Sequence, residues 1–209
     1  GVIEWGYKAF VATPEDLEIG AIARPLKSAK EMRADGTFTD GTFVVVGGTA
    51  GIGRGIALVA AAAGANVTVV GRSARDVVRD LRGAGAEYAG DGDDTHHAHR
   101  FVAADLGSVA GCRRAVESIA AGVGGKIDVL VLTVGVWPDL GEPLNGDGFE
   151  KTVFVDVIAR SMVLRGLVER GVLHPDAKIL NVLASGQRAS DVVTPVHKHI
   201  EKKKTHTHT

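Results

Sequence analysis

The sequence predicts an α/β protein built on a doubly wound parallel sheet of about five strands. Three observations carry this reading. Short apolar runs rich in valine recur along the chain, at residues 42–46, 67–70, 101–104, 127–134 and 177–186. Between them lie stretches with apolar residues at helical spacing, the alternation expected of βαβ units. The first run also passes through a Gly-rich turn straight into a helix and a second apolar run, giving strand, turn, helix and strand within residues 42–72.

The totals agree with one domain carrying a sizeable core: 209 residues, 45% hydrophobic, 28 glycines and 5% aromatic. A formal net charge of −1 gives no long-range pull towards nucleic acid or a membrane surface, and neither partner is expected. The single cysteine, Cys112, excludes an internal disulfide and fits a reducing compartment, so a cytoplasmic location is expected. No apolar run is long enough to span a bilayer, and no signal peptide is evident. The chain opens on Gly1 rather than Met, the expectation being a fragment or a processed form.

The turn reads Gly47-Gly48-Thr49-Ala50-Gly51-Ile52-Gly53. Gly47 suits a tight turn at positive φ, Gly51 a close backbone approach to a diphosphate, and Gly53 close helix–strand packing. The first helical N–H groups then face the phosphates, with the helix dipole favouring negative charge. Ile56, Val59, Ala60 and Ala63 recur at helical spacing up to Gly64, a helix stop. The flanking strand and helix supply the context that a Gly-rich string alone lacks.

The spacing Gly47-x-x-x-Gly51-Ile52-Gly53 resembles the short-chain dehydrogenase/reductase family, although Val46 stands where that family has Thr. The resemblance covers residues 42–186. It implies a Rossmann-type fold, a nicotinamide dinucleotide, a small-molecule carbonyl or alcohol substrate, and hydride transfer between them. It implies cofactor contacts at Gly47, Thr49, Gly51, Ile52, Gly53, Asp105, Thr133 and Gly135, with Asp105 meeting the adenine. At the end of the second strand a carboxylate would bind the ribose of NAD. Arg72 stands there instead. With Ser73, and with Arg54 or Arg75 as further candidates, it suits the 2′-phosphate of NADP, so NADP is expected over NAD. A homodimer is a further expectation.

Before this core, residues 1–41 read as an N-terminal arm, with Thr13-Pro14-Glu15-Asp16 as a helix start, a helical piece over 26–32, and turns at Asp35-Gly36 and Asp40-Gly41. After the second strand a helix is predicted over 73–81, then a solvated Gly-rich loop over 83–99. His96, His97 and His99 stand near Asp91, Asp93 and Asp94 in that loop, but the spacing matches no usual metal site. Ser108 is expected to cap a helix with Val109, Cys112, Val116 and Ile119 on one face, leaving Cys112 as a small core residue. The fourth strand leads to Gly135 and to Trp137, which either shapes a substrate pocket or anchors a loop. A long helix over 149–170 presents Phe149, Val153, Val157, Met162 and residues 164–168 as its apolar face.

For catalysis, the resemblance implies an asparagine on this long helix; the matching position holds Asp156. It keeps an acceptor oxygen, and either holds a water or sits at the solvated edge. The family's serine position falls on Ala184, with Ser185 one place later. The Tyr-x-x-x-Lys motif has no counterpart, because the only tyrosines are Tyr7 and Tyr88. Lys198 and Lys202 have the spacing without the tyrosine. Residues 201–209 read EKKKTHTHT, a low-complexity tail. Residues after about Arg188 are expected to come from a frameshift, a misjoined exon or read-through, with a natural flexible tail as the alternative.

The domains are thus 1–41 as an arm, 42–188 as a dinucleotide-binding unit incomplete at its C-terminal side, and 189–209 as a tail. The fifth strand becomes an open edge, and the long helix loses a neighbour. Three functions follow from these features: an NADP-dependent oxidoreductase weak or inactive in this form, a non-catalytic NADP sensor or scaffold, or an unstable truncated product.

Overall fold

A computed structural model describes residues 28–74, 76–87, 98–137, 139 and 141–183. The predicted helix start at Thr13, the tail over 189–209, and Arg75, Tyr88, His96, His97, Ser185, Lys198 and Lys202 lie outside the described residues.

The described residues form five parallel strands: β1 (Thr42–Val46), β2 (Asn66–Gly71), β3 (Arg100–Ala103), β4 (Ile127–Leu132) and β5 (Leu173–Asn181). Their order in the sheet is β3-β2-β1-β4-β5. Five helices connect or flank them: α1 (Ala29–Ala34), α2 (Gly51–Ala62), α3 (Val77–Glu87), α4 (Val109–Gly122) and α5. The last is continuous but built of three pieces, Lys151–Val153, a π-helical stretch Phe154–Ala159, and Arg160–Glu169.

Both faces of the sheet are covered at its central strands β1, β2 and β4, which is why these read as largely apolar runs rather than alternating ones. Phe43, Val45, Val67 and Val69 pack with Ala57, Ala60 and Ala61 of α2 and with Val77 and Leu81 of α3. On the other face, Val44, Val46, Leu130 and Leu132 pack with Cys112, Val116 and Ile119 of α4 and with Phe154, Val163 and Leu167 of α5. Among the described residues strand β5 pairs with β4 alone and forms an edge, with Ile179 and Leu180 substantially exposed.

Two helix ends follow from single glycines. Gly64 lies at φ +93°, its N–H donates to Ala61 O, and Ala65 N–H donates to Ala60 O, so α2 stops in a Schellman motif. Gly171 at φ +63° ends α5 the same way, through Val168 O and Leu167 O.

Several boundaries differ from expectation. Helix α3 begins at Val77 and runs to Glu87, so residues 83–87 belong to it rather than to a loop. His99 is buried at 8% exposure, not part of a solvated insertion. Strand β5 starts at Leu173 and ends at Asn181, earlier at both ends than the apolar run. Of the expected apolar face, Leu167 is buried and Met162 and Leu164 pack against the core, whereas Phe149, just before α5, and Val153, Val157 and Val168 on it are exposed; Phe154, Val155, Ala159 and Val163 are buried as well. Buried residues recur every four positions at 155, 159, 163 and 167, through the π stretch, and Val153 and Val157 stand two places off that register.

Candidate functional site

The sheet order reverses at β1, which has β2 on one side and β4 on the other. Ligands of open α/β sheets bind outside the carboxyl ends of the strands at such a point. A cleft of about 1100 Å³ opens there. Gly47, Thr49, Gly51, Ile52, Gly53, Arg72, Asp105, Thr133 and Gly135 all line it, so nine residues expected at a cofactor come together in space. Ser73 is exposed beside Arg72 and lies outside this lining.

The turn after β1 is held by close backbone packing. Gly47 sits at φ +90°, and its N–H donates to Val70 O at 2.9 Å. A Cβ on Gly47 would lie 2.6 Å from Val134 N, and one on Gly53 would lie 2.4 Å from both Gly47 O and Thr133 Oγ1. Thr133 tightens the same spot, donating its hydroxyl to Val46 O at 3.0 Å and its N–H to that oxygen at 2.8 Å. Gly51, by contrast, lies at φ +55° with open space where a Cβ would stand. The loop is therefore packed tightly behind and open in front.

Helix capping separates α2 from its neighbours. Ser108 Oγ accepts from Gly111 N–H at 3.1 Å, and Asp147 Oδ2 accepts from Val109 N–H at 2.8 Å, so α4 has two capping partners. Ser28 and Glu31 form a capping box on α1. The residue before α2 is Ala50, which supplies no side-chain cap. The first N–H groups of α2 remain donors aimed at the cleft, the arrangement that receives phosphate.

Charge is distributed unevenly around the rim. Arg72 is exposed and makes no hydrogen bond or ion pair with a described residue. The Arg54 guanidinium pairs with Asp80 on α3. Asp105 accepts the N–H of Gly107 at 3.0 Å and keeps its carboxylate on the cleft wall. At the other end Trp137 is 82% exposed. This is not the burial of a loop anchor. Lys151 lines the cleft with its ammonium held by Asp139 at 3.0 Å.

Asp156 lies behind this end, on the π stretch of α5. Its Oδ1 accepts Val136 N–H at 2.9 Å, and burial raises its pKa from the ordinary carboxylate value. Four residues on, the sequence reading missed Arg160, which is buried at 6% exposure. A cation at i+4 from an acid, on a helix face otherwise made of Val163 and Leu167, was the available signal. Among the described residues no group of three or more His, Cys, Asp or Glu side chains is placed to hold a metal. No helix among them is long and apolar enough to cross a membrane.

Known proteins share this arrangement. Residues 41–191 match the short chain dehydrogenase family. A glucose and ribitol dehydrogenase homolog of Oryza sativa subsp. japonica is 34% identical over 114 residues, which cover 53% of this chain and 35% of that protein. An uncharacterized oxidoreductase of Saccharomyces cerevisiae is 28% identical over 126 residues, 60% of this chain and 35% of that protein. The chain thus matches about a third of the length of these curated relatives. Among solved structures, the citronellol catabolism dehydrogenase AtuB of Pseudomonas aeruginosa aligns with a TM-score of 0.53 at 27% identity, covering 79% of this chain and 66% of that one. With a family match across most of its length and a cleft at the switch point of its sheet, the chain belongs to the short-chain dehydrogenase/reductase family.

Proposed function

We propose that this chain is the cofactor-binding part of an NADP-dependent oxidoreductase acting on a small carbonyl or alcohol substrate. The observation that carries the reading is the cradle after β1: glycines closed behind, open space at Gly51, and an uncapped α2 facing the cleft. The diphosphate lies against the first N–H groups of α2. Arg72, without a partner among the described residues, takes the 2′-phosphate through charge-assisted hydrogen bonds; a carboxylate at that place would have favoured NAD. Asp105 faces the adenine, while Thr133 and Gly135 lie under the nicotinamide end.

The bound dinucleotide would supply or accept the hydride; the protein binds it, orients it and shields one face. Asp156 holds the Val136 amide in place beside the substrate end. Ser185, outside the described residues, remains the serine proposed for the substrate oxygen. A polypeptide of this sequence has no tyrosine beyond Tyr88, so we expect cofactor binding without efficient turnover. That same fact favours the second reading, an NADP-responsive module without catalysis. The single cysteine supports a cytoplasmic setting, and the exposed Val153, Val157 and Val168 on α5 suit a second copy of the chain.

Calorimetric titration with NADP and NAD, beside an NADPH oxidation assay, tests the proposal. Tighter binding of NADP with negligible turnover supports it. Equal indifference to both nucleotides removes it. Turnover at ordinary enzyme rates would restore full catalysis and sink the second reading.

A further inference from the structure

Among the described residues Arg160 is the buried arginine, and its surroundings define a task. Its Nε donates to Val134 O at 2.8 Å, and its Nη2 donates to the same oxygen. Its Nη1 donates to Asn181 Oδ1 at 2.8 Å, to Val182 O at 2.6 Å and to Leu132 O at 3.3 Å. These acceptors sit on the exits of two neighbouring strands, β4 and β5, just where the ladder closes with Val182 N–H donating to Leu132 O at 2.9 Å.

Asp156 lends favourable charge from four residues earlier without a direct ion pair, so the guanidinium is compensated mainly by carbonyl dipoles. Burying a cation this way is a poor route to stability, because an apolar side chain of similar volume would avoid the desolvation cost. What an apolar side chain lacks is a planar fork that can grip two strand exits together. Val134 and Val182, both gripped, line the cleft at its nicotinamide end. Gly135 follows Val134 on the β4 exit, and a Cβ there would lie 3.2 Å from Asp156 Oδ1 and in ordinary contact, 3.5 Å, with Arg160 Nη2.

We propose that Arg160 is a positioning residue, a clamp across the exits of β4 and β5 that shapes the cleft floor under the nicotinamide half of the cofactor. The inference rests on the reading of the cleft as a nicotinamide dinucleotide site. It implies that Arg160 governs affinity for the redox half and leaves the adenosine half untouched.

Two measurements on Arg160→Lys and Asn181→Ala test it. Lysine keeps the charge and loses the fork; alanine at 181 removes one acceptor and leaves the arginine. Hydrogen exchange on the nucleotide-free protein should accelerate about tenfold in Arg160→Lys at residues 133–136 and 182, with a smaller rise there in Asn181→Ala and no change at residues 47–53. Calorimetry should show NADP binding weakened about tenfold in Arg160→Lys, with adenosine 2′,5′-bisphosphate unchanged within about twofold. Exchange that rises evenly, or stays flat at the strand exits, overturns the clamp, as does equal weakening of both ligands. If the parent protein binds neither ligand, the cofactor reading of the cleft fails, and the exchange pattern alone decides whether the clamp exists.

Discussion

Asp156 Oδ1 accepts the amide hydrogen of Val136 at 2.9 Å, yet the Asp156 pKa is raised because burial outweighs that bond and the attraction of Arg160. A carboxyl whose folded pKa lies above its unfolded value contributes stability below the unfolded value, and that contribution is lost as pH rises through the folded one. Asp156→Asn keeps the carbonyl acceptor and removes the charge. It should melt about 2 °C or more above the parent at pH 7, and the gap should narrow as the pH falls towards the ordinary carboxylate pKa. Thermal unfolding from pH 4 to 8 checks this; a variant that melts lower at pH 7 would mean that the Arg160 attraction dominates.

Gly53→Ala should be a damaging substitution in the cradle. Its methyl would enter within 2.4 Å of the Gly47 carbonyl and the Thr133 hydroxyl, and the former is backbone that cannot swing away. A loss of about 1–3 kcal/mol in stability is expected. Binding of NADP should fall by more than the fall for Gly55→Ala, where a Cβ meets open space. Denaturant unfolding and calorimetry on the two variants give the comparison.

Arg72→Ala should change the cofactor preference. Losing a hydrogen bond between charged partners costs about 1.5–3 kcal/mol, so NADP affinity should drop roughly tenfold or more while NAD affinity stays the same. Parallel titrations decide it, and an equal drop for both nucleotides would count against Arg72 as the phosphate contact.

The Cys112 thiol is pushed up to about 11, first by burial and then by the carboxylates of Asp147 and Asp105. It stays protonated at neutral pH and should react with a disulfide reagent at pH 8 about a hundredfold more slowly in the native protein than in denaturant. Since the folded pKa lies above the unfolded one, stability should decline as pH rises from 9 towards 11. Timed labelling with and without denaturant provides the test.

The sequence was most readable where one local signal had one physical meaning. The run Thr42–Val46 was identified to the residue because it is buried on both faces and ends in a glycine at positive φ. Gly64 and Ser108 marked helix ends by chemistry that needs no distant partner. Part of the face of α5 was misread because its first half is apolar on both sides, with Val153 and Val157 exposed opposite the buried Val155 and Ala159. Arg160 was overlooked because its partners are distant in sequence. Its acceptors, Leu132, Val134, Asn181 and Val182, come from segments whose meeting is settled only by the pairing of β4 with β5.

Helix α2 meets the sheet through Ala57, Ala60 and Ala61, with Ala62, Ala63 and Ala65 buried just behind. Methyl groups set the spacing of these two layers, so the junction holds no slack for a bulkier neighbour. Engineers wanting a hardier version of this protein should leave that seam alone and work on outlying surfaces, where added volume displaces only solvent.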